Sequence, residues 1–168
     1  MSWFTNSIPF FFLFFALGAM ALTTSKSVYS AGFSSPMPSV FVAPYPYASQ
    51  LPKGLSEAQI SDYCIDQVER LLKQQSHPSD TAAVLIEPVL GEGGYVAPPK
   101  DFLPRLKKLC EKHGILFIAD EVQSGFGRTG KMFAVEHSGV SPDIMVIAKG
   151  LASGYPLSGI VARSELTK

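Results

Sequence analysis

The chain has few of the residues that build disulfide frameworks or zinc sites. Its 168 residues include only two cysteines, Cys64 and Cys110, and their separation is far from the spacing of metal ligands. Both lie in segments with helical periodicity, so we predict that they are reduced thiols in the core. The histidines, His77, His113 and His137, have no cysteine or carboxylate cluster around them. We therefore predict no metal site.

Neither sign of charge is in excess. Fourteen Lys and Arg residues balance fourteen Asp and Glu residues, so the formal net charge at pH 7 is zero. A chain without a strong positive field has no long-range attraction for nucleic acid or for an anionic membrane surface, and we predict neither partner. With 46% hydrophobic residues, the chain can form one domain with a core or part of a larger domain.

Basic residues are missing from the N-terminus, where phenylalanine dominates. No Lys or Arg precedes Lys26, and an apolar run covers residues 8–22. Crossing a bilayer takes roughly 20 apolar residues, so this run is short for a transmembrane helix but suits a secretory signal peptide cleaved near Ala21. The alternative is an aberrant N-terminus from a replaced exon or a gene-model error. We therefore separate residues 1–16 from a domain at residues 17–168.

Four short apolar runs predict the strands of a sheet. They cover residues 82–86, 115–119, 144–148 and 157–162. The runs at 115–119 and 144–148, short and rich in aliphatic and β-branched residues, are typical of strands buried on both faces of a parallel sheet. The alternation of strands and helices predicts an α/β fold with a mostly parallel sheet, right-handed crossovers and helices on both faces.

Two amphipathic segments predict the helices. One covers residues 55–75 with Ser56 as its N-terminal cap, and the other covers residues 101–113 with Gly114 as its C-terminal stop. The apolar face of the first comprises Ile60, Cys64, Val68, Leu71 and Leu72. On the second, the side chains predicted to face solvent are Lys107, Lys108, Glu111 and Lys112. Residues 30–51, rich in Pro, Ser and Tyr, predict an extended surface loop.

Two of the predicted strands end in a charged residue. Asp120 follows the run at 115–119, and Lys149 follows the run at 144–148. Taken singly, each is most simply a surface or capping charge. The carboxyl ends of parallel strands, however, share the sheet edge where α/β folds bind ligands, so we expect both side chains to face one pocket. Partial withdrawal of an amine from water favours its neutral, nucleophilic form and thus Schiff-base chemistry, which a carboxylate on a pyridinium nitrogen assists.

A glycine-rich segment at residues 125–130 matches the pattern G-x-G-x-x-G. The segment does not directly follow a strand, and no helix with a ribose-binding acid completes the unit. We therefore do not predict a dinucleotide site there.

Three stretches in order resemble the class III (subgroup II) pyridoxal-phosphate-dependent aminotransferases, most of all the 4-aminobutyrate aminotransferases. They are IEPVLGEGG, ILFIADEVQSGFGRTGKMFA and PDIMVIAKGLASGYPLSG, and LGAMALTTSK near the N-terminus resembles a further family segment. The resemblance implies the aspartate-aminotransferase-like fold type I. It also implies pyridoxal 5′-phosphate, amino transfer from an amine to a 2-oxo acid, and an obligate homodimer with active sites at the subunit interface.

Carried over by resemblance, five positions have roles in the site. Lys149 is similar to the Schiff-base lysine that also shuttles the proton, and Asp120 to the partner of the pyridine nitrogen. Val122 resembles the residue packed on the ring, and Gln123 the residue bonded to the phenolic oxygen. Glu92 resembles the carboxylate that pairs with a mobile arginine, so that one pocket accepts both an ω-amine and glutamate.

The chain also departs from the family pattern. An aromatic-His-Gly turn that presents a ring to the cofactor is replaced by Phe12 and its neighbours. The phosphate-binding turn is expected before the start of the chain and the mobile arginine after Lys168, so we expect a central large-domain fragment truncated at both ends. The alternatives are an inactive or regulatory remnant, and a secreted α/β domain without cofactor. Family resemblance implies a cytoplasmic or mitochondrial location.

Overall fold

The structure, a computed structural model, describes residues 18–24, 27–32 and 37–167. The chain forms two compact units, Met1–Val42 and Ala43–Lys168. In the described part of the first unit, residues 18–22 are helical and Ser27–Tyr29 form a 3₁₀ helix. The predicted N-terminal segment at residues 1–16, including Phe12, lies outside the described residues. Within the described ranges, no helix is both long enough and apolar enough to cross a bilayer.

A four-stranded sheet forms the centre of the second unit, in the order β1-β2-β3-β4. The strands are β1 (Ala83–Ile86), β2 (Leu116–Asp120), β3 (Ile144–Ile147) and β4 (Gly159–Ala162). Strands β1, β2 and β3 are parallel, whereas β4 runs antiparallel to β3. Each strand coincides with a predicted apolar run, which confirms the mostly parallel sheet. The antiparallel direction of β4 was not predicted.

Two helices accompany the sheet, α1 (Glu57–Gln74) and α2 (Phe102–His113). The predicted cap of α1 is confirmed, because Ser56 and Gln59 form a reciprocal capping box: the Gln59 N–H donates to Ser56 Oγ and the Ser56 N–H to Gln59 Oε1. The predicted stop of α2 is also confirmed. Gly114 adopts the left-handed conformation with φ 68° and donates its N–H to carbonyls of the last turn.

The core lies between the two helices and one face of the sheet. Its largest fully buried apolar side chains include Phe102, Leu106 and Phe117. Cys64 and Cys110 are buried and free, as predicted, and burial raises the pKa of each thiol to about 11. On α1, Ser61 and Ile65 are buried in addition to the predicted positions, while Leu71 is only half-buried.

The prediction that the runs at 115–119 and 144–148 are buried on both faces is wrong, because alternate residues such as Ile118 and Val146 are only half-buried. Residues on one face, such as Val84, Phe117 and Met145, pack into the core. On the opposite face, Leu85 is 39% exposed and Ile160 is 68% exposed. Both helices of this unit pack against the first face, so neither of them covers the second. The strands are apolar on both sides, although only one side is covered here.

The prediction that Lys107 faces solvent is also wrong. Its side chain is 16% exposed, because the buried carboxylate of Asp143, just before β3, lies beneath α2. Lys107 Nζ donates to both Asp143 oxygens at 3.0 and 2.9 Å. Asp143 also accepts the Phe117 N–H at 2.7 Å and pairs with Arg163 at 2.9 Å. This carboxylate therefore joins α2, β2 and the end of β4.

Candidate active site

Three parallel strands end in ionisable residues at one edge of the sheet. Glu87 follows β1, Asp120 is the last residue of β2, and Lys149 lies two residues beyond β3. Because β1, β2 and β3 are adjacent and parallel, their carboxyl ends meet at the crevice where α/β sheets bind ligands. The structure thus brings Asp120 and Lys149 to the same edge, together with a second carboxylate.

A cavity of about 400 Å³ opens at this edge. Its lining includes Gly91, Tyr95, Val122, Gln123, Arg128 and Lys149. The volume lies within the range of small-molecule sites, roughly 300 to 1,000 Å³. The lining combines aliphatic, amide and hydroxyl groups with two cationic side chains, Arg128 and Lys149, which suits a small anionic ligand.

Lys149 lines the cavity and forms a hydrogen bond with Gln123. Lys149 Nζ donates to Gln123 Oε1, and Gln123 Nε2 donates to the Tyr95 hydroxyl at 3.4 Å. The expectation of an amine partly withdrawn from water is wrong for the chain by itself, since Lys149 is exposed. No described element covers the outer side of the cavity, which leaves the amine open to solvent.

A tight turn after β2 directs the next side chains toward the cavity. Asp120 Oδ1 accepts the N–H of Val122 at 3.0 Å, which bends the chain as soon as the strand ends. The neighbouring Glu121 is fully buried. Its two carboxylate oxygens accept the N–H of Val135 at 2.7 Å and the hydroxyl of Ser124 at 2.6 Å. Glu121 thus fixes the turn from beneath, a role that the sequence pattern did not reveal.

Backbone strain concentrates around the cavity. Tyr95, Phe126 and Lys149 adopt positive φ angles of 56°, 58° and 42°, a left-handed conformation that favours glycine. Tyr95 and Lys149 line the cavity, and Phe126 packs directly against Gly150, the residue after Lys149. Residues held in this region by their surroundings cluster at functional sites in proteins.

Sequence reasoning missed Glu87 as a residue of this site. It is half-buried, and its Oε2 accepts the N–H of Gly91 at 2.7 Å. Burial raises the pKa of Glu87 above its ordinary value, and the neighbouring carboxylates of Asp120 and Glu92 contribute in the same direction. The Gly91 N–H and the charge of Lys149 act against this rise in the pKa. The signal was present, because Glu87 follows an apolar run just as Asp120 does.

Two other predicted features take different positions at this edge. Glu92 is exposed in the turn that starts at Gly91 and is not among the residues that line the cavity. The glycine-rich segment at residues 125–130 forms turns after β2, not the start of a helix. A Cβ on Gly125 would lie 2.8 Å from the Glu121 carbonyl oxygen. Arg128 and Thr129 of this segment line the cavity, although no sequence pattern indicated a role for them.

The chain is similar to known transaminases along most of its length. A family model described as aminotransferase class-III matches residues 15–168. A 4-aminobutyrate aminotransferase of Escherichia coli (strain K12) is 46% identical over 147 residues, which cover 88% of this chain and 33% of that protein. A probable 4-aminobutyrate aminotransferase of Bacillus subtilis (strain 168) is 42% identical over 147 residues, or 88% of this chain and 34% of that protein.

Solved structures show the same fold. An omega transaminase of Pseudomonas jessenii in complex with PMP superposes with a TM-score of 0.84 at 34% identity, covering 90% of this chain and 33% of that one. An (S)-enantioselective omega-transaminase from Thermomicrobium roseum gives a TM-score of 0.84 at 35% identity, covering 90% and 34%. The chain therefore spans about a third of the length of the relatives it matches. On the family match and these identities, the chain belongs to the class-III aminotransferases.

Proposed function

We propose that this chain carries the reactive lysine and the cofactor-ring contacts of a pyridoxal-phosphate-dependent aminotransferase that transfers an amino group from an amine to a 2-oxo acid. The observation that carries this proposal is the placement of Asp120 and Lys149 at the ends of adjacent parallel strands. Lys149 lines a cavity of about 400 Å³ at that edge. Membership of the class-III aminotransferases supports the same reaction.

The described residues suit pyridoxal phosphate. When bound, this cofactor supplies an electron sink that stabilises negative charge on the carbon next to the nitrogen. Lys149 Nζ would hold it covalently, and the Asp120 carboxylate would keep its ring nitrogen protonated. Val122 would pack on the ring, and Gln123 would contact its phenolic oxygen. Val122 and Gln123 lie in the turn that follows β2, and Asp120, the last residue of the strand, closes that turn by accepting the Val122 N–H.

Lys149 is also the group that moves a proton in the proposed reaction. Its amine is already hydrogen-bonded to the Gln123 amide oxygen, which limits the directions in which it can reach. A base held within hydrogen-bond reach of one carbon removes a proton from that carbon far more effectively than a base in solution. Gln123 therefore orients Nζ in this proposal.

The donor that we propose is an amine with a carboxylate at its far end, such as 4-aminobutyrate. Relatives named for 4-aminobutyrate and for 5-aminovalerate are 46% and 45% identical to this chain, and both compounds are ω-amino acids. We propose that Glu92, in the exposed turn beside Glu87, pairs with an arginine outside the described residues. Such a pair would allow the same pocket to accept an ω-amine and then a 2-oxo acid.

We further propose that the site is completed at the interface of a homodimer. Large apolar side chains are exposed in loops at the same edge as the cavity, with Tyr95 at 73%, Tyr155 at 81% and Leu157 at 56% exposure. Exposed aromatic and aliphatic groups of this kind are typical of surfaces that a partner covers. A second subunit would also exclude water from Lys149.

The covalent role of Lys149 is tested by mixing the purified chain with pyridoxal phosphate and recording visible absorbance. A Schiff-base band is expected in the wild-type chain and in Lys108→Ala, which removes an exposed lysine of α2. The band should be absent in Lys149→Ala. If Lys149→Ala keeps the band of the wild-type chain, surface lysines account for it and the assignment is wrong.

Retention of the cofactor tests the role of Asp120, and the rate of amino transfer tests the whole site. Asp120→Ala should still form the band but lose the cofactor faster on gel filtration, because the ring nitrogen has no carboxylate partner. Equal retention would contradict the pyridine-nitrogen contact. Amino transfer from 4-aminobutyrate to 2-oxoglutarate distinguishes a working site from an inactive remnant, which would give the band without turnover.

A further inference from the structure

Glu87 is the one strand-end residue of this edge to which the proposed function gives no role. It immediately follows β1, and its half-buried carboxylate turns back to accept the Gly91 N–H at 2.7 Å. A half-buried carboxylate beside another carboxylate is costly unless it is hydrogen-bonded. The chain nevertheless places Glu87 close enough to Asp120 for each charge to affect the other.

Gly91 lies tightly between Glu87 and the side chain of Gln123. A Cβ on Gly91 would be 2.7 Å from Gln123 Cγ and 3.1 Å from Gln123 Cβ. The same Cβ would be 3.1 Å from Glu87 Oε2. Residue 91 is buried and lines the cavity. The Gly91 backbone therefore packs closely against the Gln123 side chain, and the Glu87 carboxylate fixes the position of that backbone.

The loop that carries Gly91 is also fixed at its base. Leu90 and Val96 form a small antiparallel bridge with hydrogen bonds of 2.9 and 3.0 Å. The Tyr45 hydroxyl donates to the Val96 carbonyl at 3.2 Å and to the Glu87 carbonyl at 3.3 Å. Within the loop, the Gly91 carbonyl accepts the N–H groups of Gly94 and Tyr95 at 3.0 and 3.1 Å, and the Glu87 carboxylate holds the Gly91 N–H on the other side of the same residue.

We infer that Glu87 is a positioning residue of this site: its carboxylate holds the Gly91 backbone against Gln123, and thereby keeps the Gln123 amide oxygen on the Lys149 amine. The contacts run in one series, from Glu87 Oε2 to the Gly91 N–H, from Gly91 to Gln123 Cγ, and from Gln123 Oε1 to Lys149 Nζ. The catalytic importance of this arrangement rests on the proposed function, whereas the arrangement itself can be measured without cofactor.

The rate at which an amine-acylating reagent modifies Lys149 tests this inference. Mass spectrometry of the chain follows Lys149, with Lys108 as an internal reference for reagent strength. A Gln123 oxygen that accepts from the ammonium group slows acylation, so Gln123→Ala should accelerate it roughly two- to tenfold, the range of one ordinary net hydrogen bond. Glu87→Ala should accelerate it by a similar factor. In the double variant the two effects should not multiply, because both remove the same contact.

Glu87→Gln distinguishes the effect of the hydrogen bond to Gly91 from the effect of the Glu87 charge. A glutamine at this site retains an oxygen that can accept the Gly91 N–H but has no charge, so the inferred role predicts the wild-type rate. A rate equal to that of Glu87→Ala would mean that the charge alone acts on Lys149, and would overturn the inference. Glu57→Gln, an exposed carboxylate at the start of α1, is the matched control and should leave the rate unchanged.

Circular dichroism shows whether Glu87→Ala folds. If it does not, Gly91→Ala provides a second test. The added methyl group would lie 2.7 Å from Gln123 Cγ and 3.1 Å from Glu87 Oε2, so it displaces Gln123 first and acylation of Lys149 should again rise. An unchanged rate in Gly91→Ala would contradict the inferred series of contacts. Because none of these measurements uses pyridoxal phosphate, failure of the inference and failure of the Schiff-base assignment give different results.

Discussion

Asp143 stabilises the fold more than any surface ion pair of the second unit. It is buried, it accepts the Phe117 N–H, and it pairs with Lys107, whose side chain is only 16% exposed. Asp143→Ala leaves the Phe117 N–H without its acceptor and leaves Lys107 only the exposed Glu111 carboxylate at 3.5 Å, so we expect the free energy of unfolding to fall by about 3 kcal/mol. Denaturant titration measures this change. Asp66→Ala, on the exposed side of α1, should stay within about 0.5 kcal/mol of the wild type.

The same carboxylate predicts how stability depends on pH. Burial alone would raise the pKa of Asp143, but the Phe117 N–H and the charges of Lys107 and Arg163 lower it below its ordinary value overall. A group with a depressed pKa in the folded state contributes stability above its unfolded pKa, about 3.9, and loses it as the pH falls through the folded pKa. The fall in unfolding free energy below that pH should be smaller in Asp143→Asn.

The two thiols should be unreactive in the folded chain. Burial raises the pKa of Cys64 and Cys110 to about 11, so at about pH 8 only a fraction on the order of one in a thousand is the reactive thiolate. We expect a thiol-specific reagent to modify both cysteines within minutes in denaturant and neither on that timescale in buffer. Fast labelling of one thiol in buffer would show that its surroundings open locally.

Residue-level chemistry was only partly predictable from the sequence. Asp120 and Lys149 were identifiable because a charge directly after an apolar run stands out, and Glu87 satisfied the same criterion without being assigned. The partner of Lys107 was not identifiable, since Asp143 is 36 positions away and meets Lys107 only because the sheet places the start of β3 beside β2. Burial of Glu121 depends on hydrogen bonds to Ser124 and Val135 that no periodicity indicates.

At the scale of elements, local signals determine the ends of the helices. The capping box of α1 satisfies two N–H groups that the helix itself leaves without partners. Ser56→Ala should therefore lower the free energy of unfolding by about 1 kcal/mol, and Ser56→Asp should retain most of it because aspartate also caps helices well. Thermal or denaturant unfolding compares the three chains. A loss in Ser56→Asp as large as in Ser56→Ala would argue against the side-chain cap.

Strand positions were predictable from the sequence, whereas strand directions and coverage were not. Apolar runs located β1 to β4 to within two residues, because each run must be withdrawn from water. The direction of β4 depends on the short connection from Lys149 to Gly159, which returns the chain beside β3 without a crossover helix. Burial on both faces, predicted for the runs of β2 and β3, was overpredicted, because an apolar pattern shows which surfaces avoid water and not which neighbour covers them.

For the whole molecule, the uncovered sheet face governs behaviour in solution. Leu85 and Ile160 are exposed on that face, and β4 ends the described sheet with an unpaired edge. Exposed apolar edge strands favour association between copies, and a lysine at such an edge opposes it. Ile160→Lys should therefore lower the light scattering of the concentrated chain without changing its unfolding free energy by more than about 0.5 kcal/mol. Scattering equal to that of the wild type would assign the association to another surface.

The strained backbone around the cavity has a consequence for laboratory evolution of this chain. Lys149 is held at φ 42°, in a region where a non-glycine residue costs on the order of 1 to 3 kcal/mol. A library screened only for thermal tolerance would therefore enrich glycine at this position, and at Tyr95 and Phe126 as well. Under the proposed function, a library screened for amino transfer would retain the lysine and recover stability elsewhere. The residues that the two screens select should differ most at these positions around the cavity.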